Sequence, residues 1–396
     1  MIKIFANSFI KYATKPGLIS LASVHRNFST STYDSKENPI HQGLELQKEA
    51  DKYLDKFEFK EALSRANHAC EMMEKSFGQD HTYTAEALIK SSQICNILGY
   101  WEKAYANSTQ AVDILKNYPD IHRPILASAL STLSESLINV GSYPESLKAG
   151  KEAYELYRQM FGKHNVQTMN SRINLGDRYR LVGNLDKAEE ILNQCLKDYD
   201  PTEQFSELRR ATPYLPLVAL SLEKRDFDQA HHYIAQEISE LEKLNQKKLP
   251  VWGRVYNLLG DLELKEKDYK DALISLQDAF DFYNEVFDGM HPEVSETLTN
   301  MAKCYLEAGD AEKAKDTQQK AIDIFKHFIA DVTHPQYLIM NICLGMSMRN
   351  SDDKIGAQKL IEKSLKELSL KLGSQHPKTI LYTQLAANYD TEQKMI

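Results

Sequence analysis

Large apolar and small residues return along this chain at a fixed interval. Ala62, Ala104, Ser146, Ala188, Ala230, Ala272, Ala314 and Ala357 follow one another at 42 residues, the last step being 43. Three residues before each stand Phe59, Trp101, Tyr143, Leu185, Phe227, Tyr269, Ala311 and Lys354, which are large and apolar in the first six. Twelve before stand Ala50, Ser92, Ser134, Gly176, Val218, Gly260, Ala302 and Gly345, small in every case but Val218. Self-similarity at one period of this size marks an array of supersecondary units, each burying its apolar face against its neighbours.

The spacing predicts two antiparallel helices per unit. One small residue on each helix lets the backbones cross closely, and the aromatic three positions before the second small residue fills the space between them. Gly99, Gly141, Gly183 and Gly309 fall in phase between the helices, where glycine takes the positive φ that ends a helix. Acidic and polar residues follow at once, as in GNLDKAEE, which suits a new helix start.

This order of small residue, glycine, aromatic, alanine and, seven residues on, a second alanine as at Ala69, Ala111 and Ala153 resembles the tetratricopeptide repeat, and the resemblance covers residues 38–390. That family's usual unit is 34 residues, so a 42-residue unit adds about one turn to each helix, giving helices of roughly 17 residues and about 25 Å. Within the superfamily, the period and the pairs His291-Pro292, His334-Pro335 and His376-Pro377 resemble the kinesin light chain class, with His81 in the same phase without its proline. The expected fold is all-α: a right-handed superhelical solenoid of about eight helix pairs with a C-terminal capping helix, ILYTQLAANYD, and a tail at 391–396. Pro213 and Pro216 fall in the first helix of the fifth unit, after the charged connection DYDPTEQFSELRR. A bend or a shortened helix is expected near 200–216.

Residues 1–28 are of another kind. Lys3, Lys11, Lys15 and Arg26 carry the only charges there, and no acid precedes Asp34. Basic, hydroxyl-bearing, acid-free sequence is the signature of a mitochondrial presequence. Its end, Arg26-Asn27-Phe28 before Ser29, resembles the cleavage pattern of the matrix protease, so Arg26, Phe28 and Ser29 are the expected cleavage residues and 29–37 a polar linker. The expected address is the matrix, or the matrix face of the inner membrane.

Composition narrows the function. The 48 basic and 56 acidic side chains give a net charge of −8, and loss of residues 1–28 would take it to −12. Such a chain has no general attraction for nucleic acid or anionic lipid. No apolar run approaches the roughly 18 residues that span a bilayer, so any membrane contact is expected through partner proteins. Cys70, Cys95, Cys195, Cys304 and Cys343 are far apart and odd in number, neither a zinc pattern nor a disulfide framework. They predict packed thiols in a reducing compartment. No phosphate-binding loop, dinucleotide fingerprint, zinc-protease motif or nucleophile elbow occurs, and the adjacent His231 and His232 would point to different faces of a helix. The expectation is a protein without catalytic residues, metal or cofactor.

A partner would meet the first helices, which line the inner face of such a stack. Positions two before and one after the small residue of the first helix are expected to look inward: Lys90, Asn174 and Asn300 at the former, Asp51, Glu135, Asp177 and Asp261 at the latter. The asparagines resemble those with which the family holds a peptide backbone. The acidic row suggests a basic peptide or helix as partner, and the lack of a consistent basic set disfavours a chaperone-tail clamp. Fold and address together suggest an accessory subunit or assembly factor of a respiratory-chain complex. A cytosolic cargo adaptor like the kinesin light chains, and a mitochondrial ribosome or RNA-processing factor, stay open as alternatives, as does the oligomeric state.

Overall fold

The computed structural model describes residues 39–118, 123–198, 212–243, 251–287, 289–348 and 353–392. The expected presequence, with Arg26, Phe28 and Ser29, the linker at 29–37 and the connection at 199–211 lie outside these residues, as does the tail beyond Glu392.

Seventeen α-helices make up the described residues, in eight pairs and a last single helix. In chain order they are α1 (Pro39–Asp55), α2 (Phe59–Phe77), α3 (Thr82–Leu98), α4 (Trp101–Lys116), α5 (Arg123–Asn139), α6 (Tyr143–Phe161), α7 (Val166–Leu181), α8 (Leu185–Lys197) and α9 (Tyr214–Lys224). There follow α10 (Phe227–Lys243), α11 (Val251–Lys265), α12 (Tyr269–Phe287), α13 (Pro292–Glu307), α14 (Ala311–Phe328), α15 (Pro335–Met348), α16 (Lys354–Leu372) and α17 (Pro377–Glu392). The helices group into two units. The first holds α1 to α5, most of α6 and the start of α7; the second holds Val140–Pro144, Arg172–Tyr199 and everything from Thr212 on.

The in-phase small residues do what their spacing implies. All eight on the second helices, Ala62 through Ala357 with Ser146 among them, are 0% exposed. Their partners on the first helices sit against them. The hydroxyl of Ser92 donates to the Ala104 carbonyl at 2.7 Å, and the hydroxyl of Ser134 to that of Ser146 at 2.9 Å. At Gly260 an added Cβ would lie 2.5 Å from Leu276 and 3.2 Å from the Ala272 carbonyl, so a side chain there would force the helices apart. First helices also touch the first helix of the next repeat, α3 on α5 in one unit and α11, α13, α15 and α17 in succession in the other. They form the inner side of each stack.

Helix starts and stops explain the phase. His81, His291, His334 and His376 are N-caps: each ring Nδ1 accepts the backbone N–H two residues on, at 3.1–3.2 Å, which satisfies one of the donors a helix start leaves bare. The turns between helices place one residue in the left-handed region at 42-residue intervals. Glycine fills it at 99, 141, 183 and 309, while Phe57, Arg225 and Lys267 adopt it at φ 67°, 60° and 68°. In the fifth repeat α9 has only 11 residues and begins just after Pro213. Pro216 thereby falls in the first turn, where no intrahelical bond needs its missing N–H.

Candidate functional site

The inner positions carry the polar side chains that the folded repeats bury. In the first unit α3 and α5 face each other through hydroxyls and amides. The Asn96 amide donates to Ser136 at 3.0 Å, that of Asn139 to Asn96 at 3.1 Å, and that of Gln93 to Thr132 at 3.4 Å. One ion pair joins this lining: Lys90 Nζ on α3 lies 2.8 Å from Asp51 Oδ1 on α1, both largely buried. Burial raises the Asp51 carboxyl above its ordinary value in spite of Lys90. It also pushes Glu86, one turn before Lys90, up to about 7.

In the second unit the same positions are ionic. Arg180 bonds Asp177 at 2.8 Å and Glu223 on α9. Burial alone would raise Asp177, yet Arg180 and Arg178 hold it below the carboxylate range. Asp261 behaves alike: burial opposes ionisation, and Lys265 at 2.8 Å with Lys303 nearby outweighs it. Lys303 donates to Asn300 at 3.2 Å and lies 5.7 Å from the centre of the Tyr382 ring. The amide of Asn300 donates in turn to Asn257 at 3.3 Å. Arg254 on α11 faces Glu293 and Glu296 on α13, and burial, then the neighbouring Glu293, raises Glu296.

Of the seven inner residues read from the sequence, Asp51, Lys90 and Glu135 belong to the first unit, and Asn174, Asp177, Asp261 and Asn300 to the second. Asp51 meets Lys90, and Lys303 links Asp261 with Asn300. Glu135 and Asn174 are half-buried on α5 and α7. The acidic row is corrected in one respect: Asp51, Asp177 and Asp261 each have a lysine or arginine within 2.8 Å. Local compensation of this kind leaves little net field, so charge gives no ground for a basic partner.

The cations Arg178, Arg180, Arg254 and Lys303 were missed by a reading that followed only one or two positions per helix. Two signals would have found them. Asp177 and Arg180, and Asp261 and Lys265, are one helical turn apart. Arg180 to Glu223, and Asn257 to Asn300, are 43 residues apart, one repeat along.

Burial raises the thiols of Cys95 and Cys195 to about 11 and those of Cys70 and Cys304 to about 12, which keeps them protonated and poorly nucleophilic. Among the described residues no group of three histidine, cysteine or carboxylate side chains could hold a metal ion, and no helix is long and apolar enough to cross a membrane.

The family model of the tetratricopeptide repeat matches residues 125–200 and 253–327, the stretches of α5 to α8 and α11 to α14. A kinesin light chain-related protein of Arabidopsis thaliana is 19% identical over 260 residues, 65% of this chain and 42% of that protein. The chain thus spans about two fifths of that relative. Among solved structures, a Rap protein complexed with competence and sporulation factor is similar at a TM-score of 0.59, with 15% identity over 81% of this chain and 83% of its own. The Rap conjugation gene regulator of plasmid pLS20, in complex with the Phr* peptide, is similar at 0.58, with 10% identity over 85% and 98%. Phased small residues, helix pairs and the family model agree: residues 125–200 and 253–327 are tetratricopeptide repeats, set in an array whose 42-residue period is similar to that of the kinesin light chain class.

Proposed function

We propose that the protein is a non-catalytic scaffold that holds a segment of a partner protein, as an extended peptide or a helix, along the inner faces of its repeats. The observation that carries this reading is the lining itself. Buried amides, hydroxyls and paired charges recur in phase with the repeat, where a hydrophobic residue would pack at no desolvation cost. Two similar structures, both Rap proteins, hold a factor or a peptide, which supports the same class of partner. Because the acids are compensated locally, recognition rests on shape and on exchange of polar bonds.

We further propose that this scaffold works in mitochondria, in the matrix or on the matrix face of the inner membrane, as an accessory subunit or assembly factor of a respiratory-chain complex. The acid-free basic composition of residues 1–28 supports the address. Purification of the native protein, with its N-terminus and its co-purifying proteins read by mass spectrometry, tests both parts. The expected result is a start at Ser29 or Thr30 and a set of inner-membrane complex subunits. An intact Met1 with cytosolic partners overturns it.

A second reading, a cytosolic cargo adaptor, draws on the Arabidopsis relative and on the repeat length. It requires the basic leader to be kept and a motor or its cargo among the co-purifying proteins. An RNA-processing role is the weaker alternative, given an acidic chain; retention of RNA through moderate salt would revive it.

A further inference from the structure

Within the second unit, two places far apart in sequence meet. His376, the N-cap of α17, has its Nε2 2.9 Å from the carbonyl of Leu181 at the end of α7, a separation of 195 residues. Its Nδ1 already accepts the N–H of Lys378 at 3.2 Å. The ring is therefore neutral, with its proton on Nε2 donated to Leu181. Beside this bond the α7–α8 turn lies hard against Pro377: a Cβ on Gly183 would fall 2.7 Å from the proline Cδ. The seat recurs one repeat earlier in the same unit, where a Cβ on Gly141 would fall 2.5 Å from Pro335 Cδ and 3.0 Å from His334 Cδ2. Glycine is required at both places twice over, by close approach and by φ values of 82° and 76°.

The histidine-proline pairs thus do more than start helices. A helix cap needs the Nδ1 face alone, and at His376 the other nitrogen is spent on a carbonyl that a helix end leaves open. The ring is 7% exposed, so the bond is shielded from water. What stands beside it is the ionic lining: Arg180 and Glu223 are close enough to influence the His376 ring, as is Lys378. From α17 the Tyr382 ring reaches Lys303.

We propose that the α7–α8 turn and the start of α17 form a clasp that closes the wall of the second unit, and that it parts to admit a partner segment to the ionic lining. The clasp rests on the scaffold reading above for its purpose, but its opening is measurable without any partner. Cys343 on α15 reports on it. Its thiol is 2% exposed and shares the surroundings of Lys303 and Tyr382, so release of α17 uncovers it. Cys95 in the first unit, 0% exposed, is the internal reference.

The experiment is maleimide labelling of the full chain, read cysteine by cysteine by peptide mass spectrometry. Three variants are compared with the natural sequence. His376→Asn keeps a side-chain acceptor for the cap but is too short for Leu181; His376→Ala loses both bonds; Gly183→Ala pushes on the clasp from the other side. Loss of the Leu181 bond in His376→Asn should speed labelling of Cys343 about tenfold, and His376→Ala and Gly183→Ala should speed it as well, with Cys95 unchanged in all three. An unchanged Cys343 in His376→Asn and Gly183→Ala overturns the proposal, because a response to His376→Ala alone reports the cap. Equal acceleration of Cys95 overturns it as well, since that is general unfolding. Partner capture that fails while the clasp behaves as described would count against the scaffold reading and leave the clasp standing.

Discussion

The two units use one backbone plan and line it in opposite ways. In the first, α3 and α5 share neutral amides and hydroxyls around Asn96 and Ser136, beside the ion pair of Lys90 and Asp51. In the second, Arg180 bridges Asp177 and Glu223, and Lys265 pairs with Asp261. The difference teaches that the repeat fixes where a polar group is buried and leaves its charge free. It also sets the cost of error, because an orphaned neutral group loses one hydrogen bond whereas an orphaned ion keeps an uncompensated charge in a poorly solvated place.

Stability measurements should expose that contrast. The largest effect is expected for Arg180→Met, which removes the cation shared by Asp177 and Glu223 and leaves Asp177 to the more distant Arg178; urea unfolding should show a loss of roughly 3–5 kcal/mol. Lys90→Met breaks its pair with Asp51 in the first unit, and the loss should be smaller, about 3 kcal/mol, because the already raised Asp51 can take up a proton. Ser136→Ala removes a hydroxyl bonded to Asn96 and to the Thr132 carbonyl. It should cost about 1 kcal/mol. Equal losses in Arg180→Met and Ser136→Ala would erase the distinction between the linings.

The subtlest test is the sign of the pH dependence. Glu86 is raised from 4.5 to about 7, so the folded first unit binds a proton that the unfolded chain has released, and its stability should grow as pH falls from about 7 to 4.5. His376 is lowered, chiefly by burial. The contact of α7 with α17 therefore should weaken as pH falls below about 6.5, while the raised Glu237, Glu263 and Glu296 of the same unit act in the other sense; below about 4 the lowered Asp177 and Asp261 are protonated and their pairs are lost. Segment-resolved amide exchange between pH 7 and 5, corrected for intrinsic rates, should show the first unit tightening while the end of α7 and the start of α17 loosen. Glu86→Gln should flatten the first trend.

The helix pairs were legible because close crossing admits only small residues, and at Ala62, Ala104 and their successors nothing larger would leave the helices in place. Histidine capping was equally legible at His291, His334 and His376, since the proline after each already marks a first helical turn. The lining was read in part. The offset to the small residue led to Lys90, Asp51, Asn300 and Asp261, each of which the fold holds in a polar pair, but charge cannot be judged one residue at a time. Asp177 reads as an acid in a row of acids until Arg180 is seen one turn on. Nor does periodicity foretell that Leu181 and His376 meet, because their contact depends on how tightly successive repeats wind within the second unit, and no local spacing encodes that.

The turns carry a consequence of their own. At 42-residue steps the backbone takes the same left-handed conformation whether glycine is present or not, and Phe57, Arg225 and Lys267 hold it against their own Cβ atoms at about 1 kcal/mol each. On heating, the pairs α1–α2, α9–α10 and α11–α12 should therefore release their connections first, while the glycine turns keep theirs. The array is graded along its length, and the order in which its repeats let go is written in seven single residues.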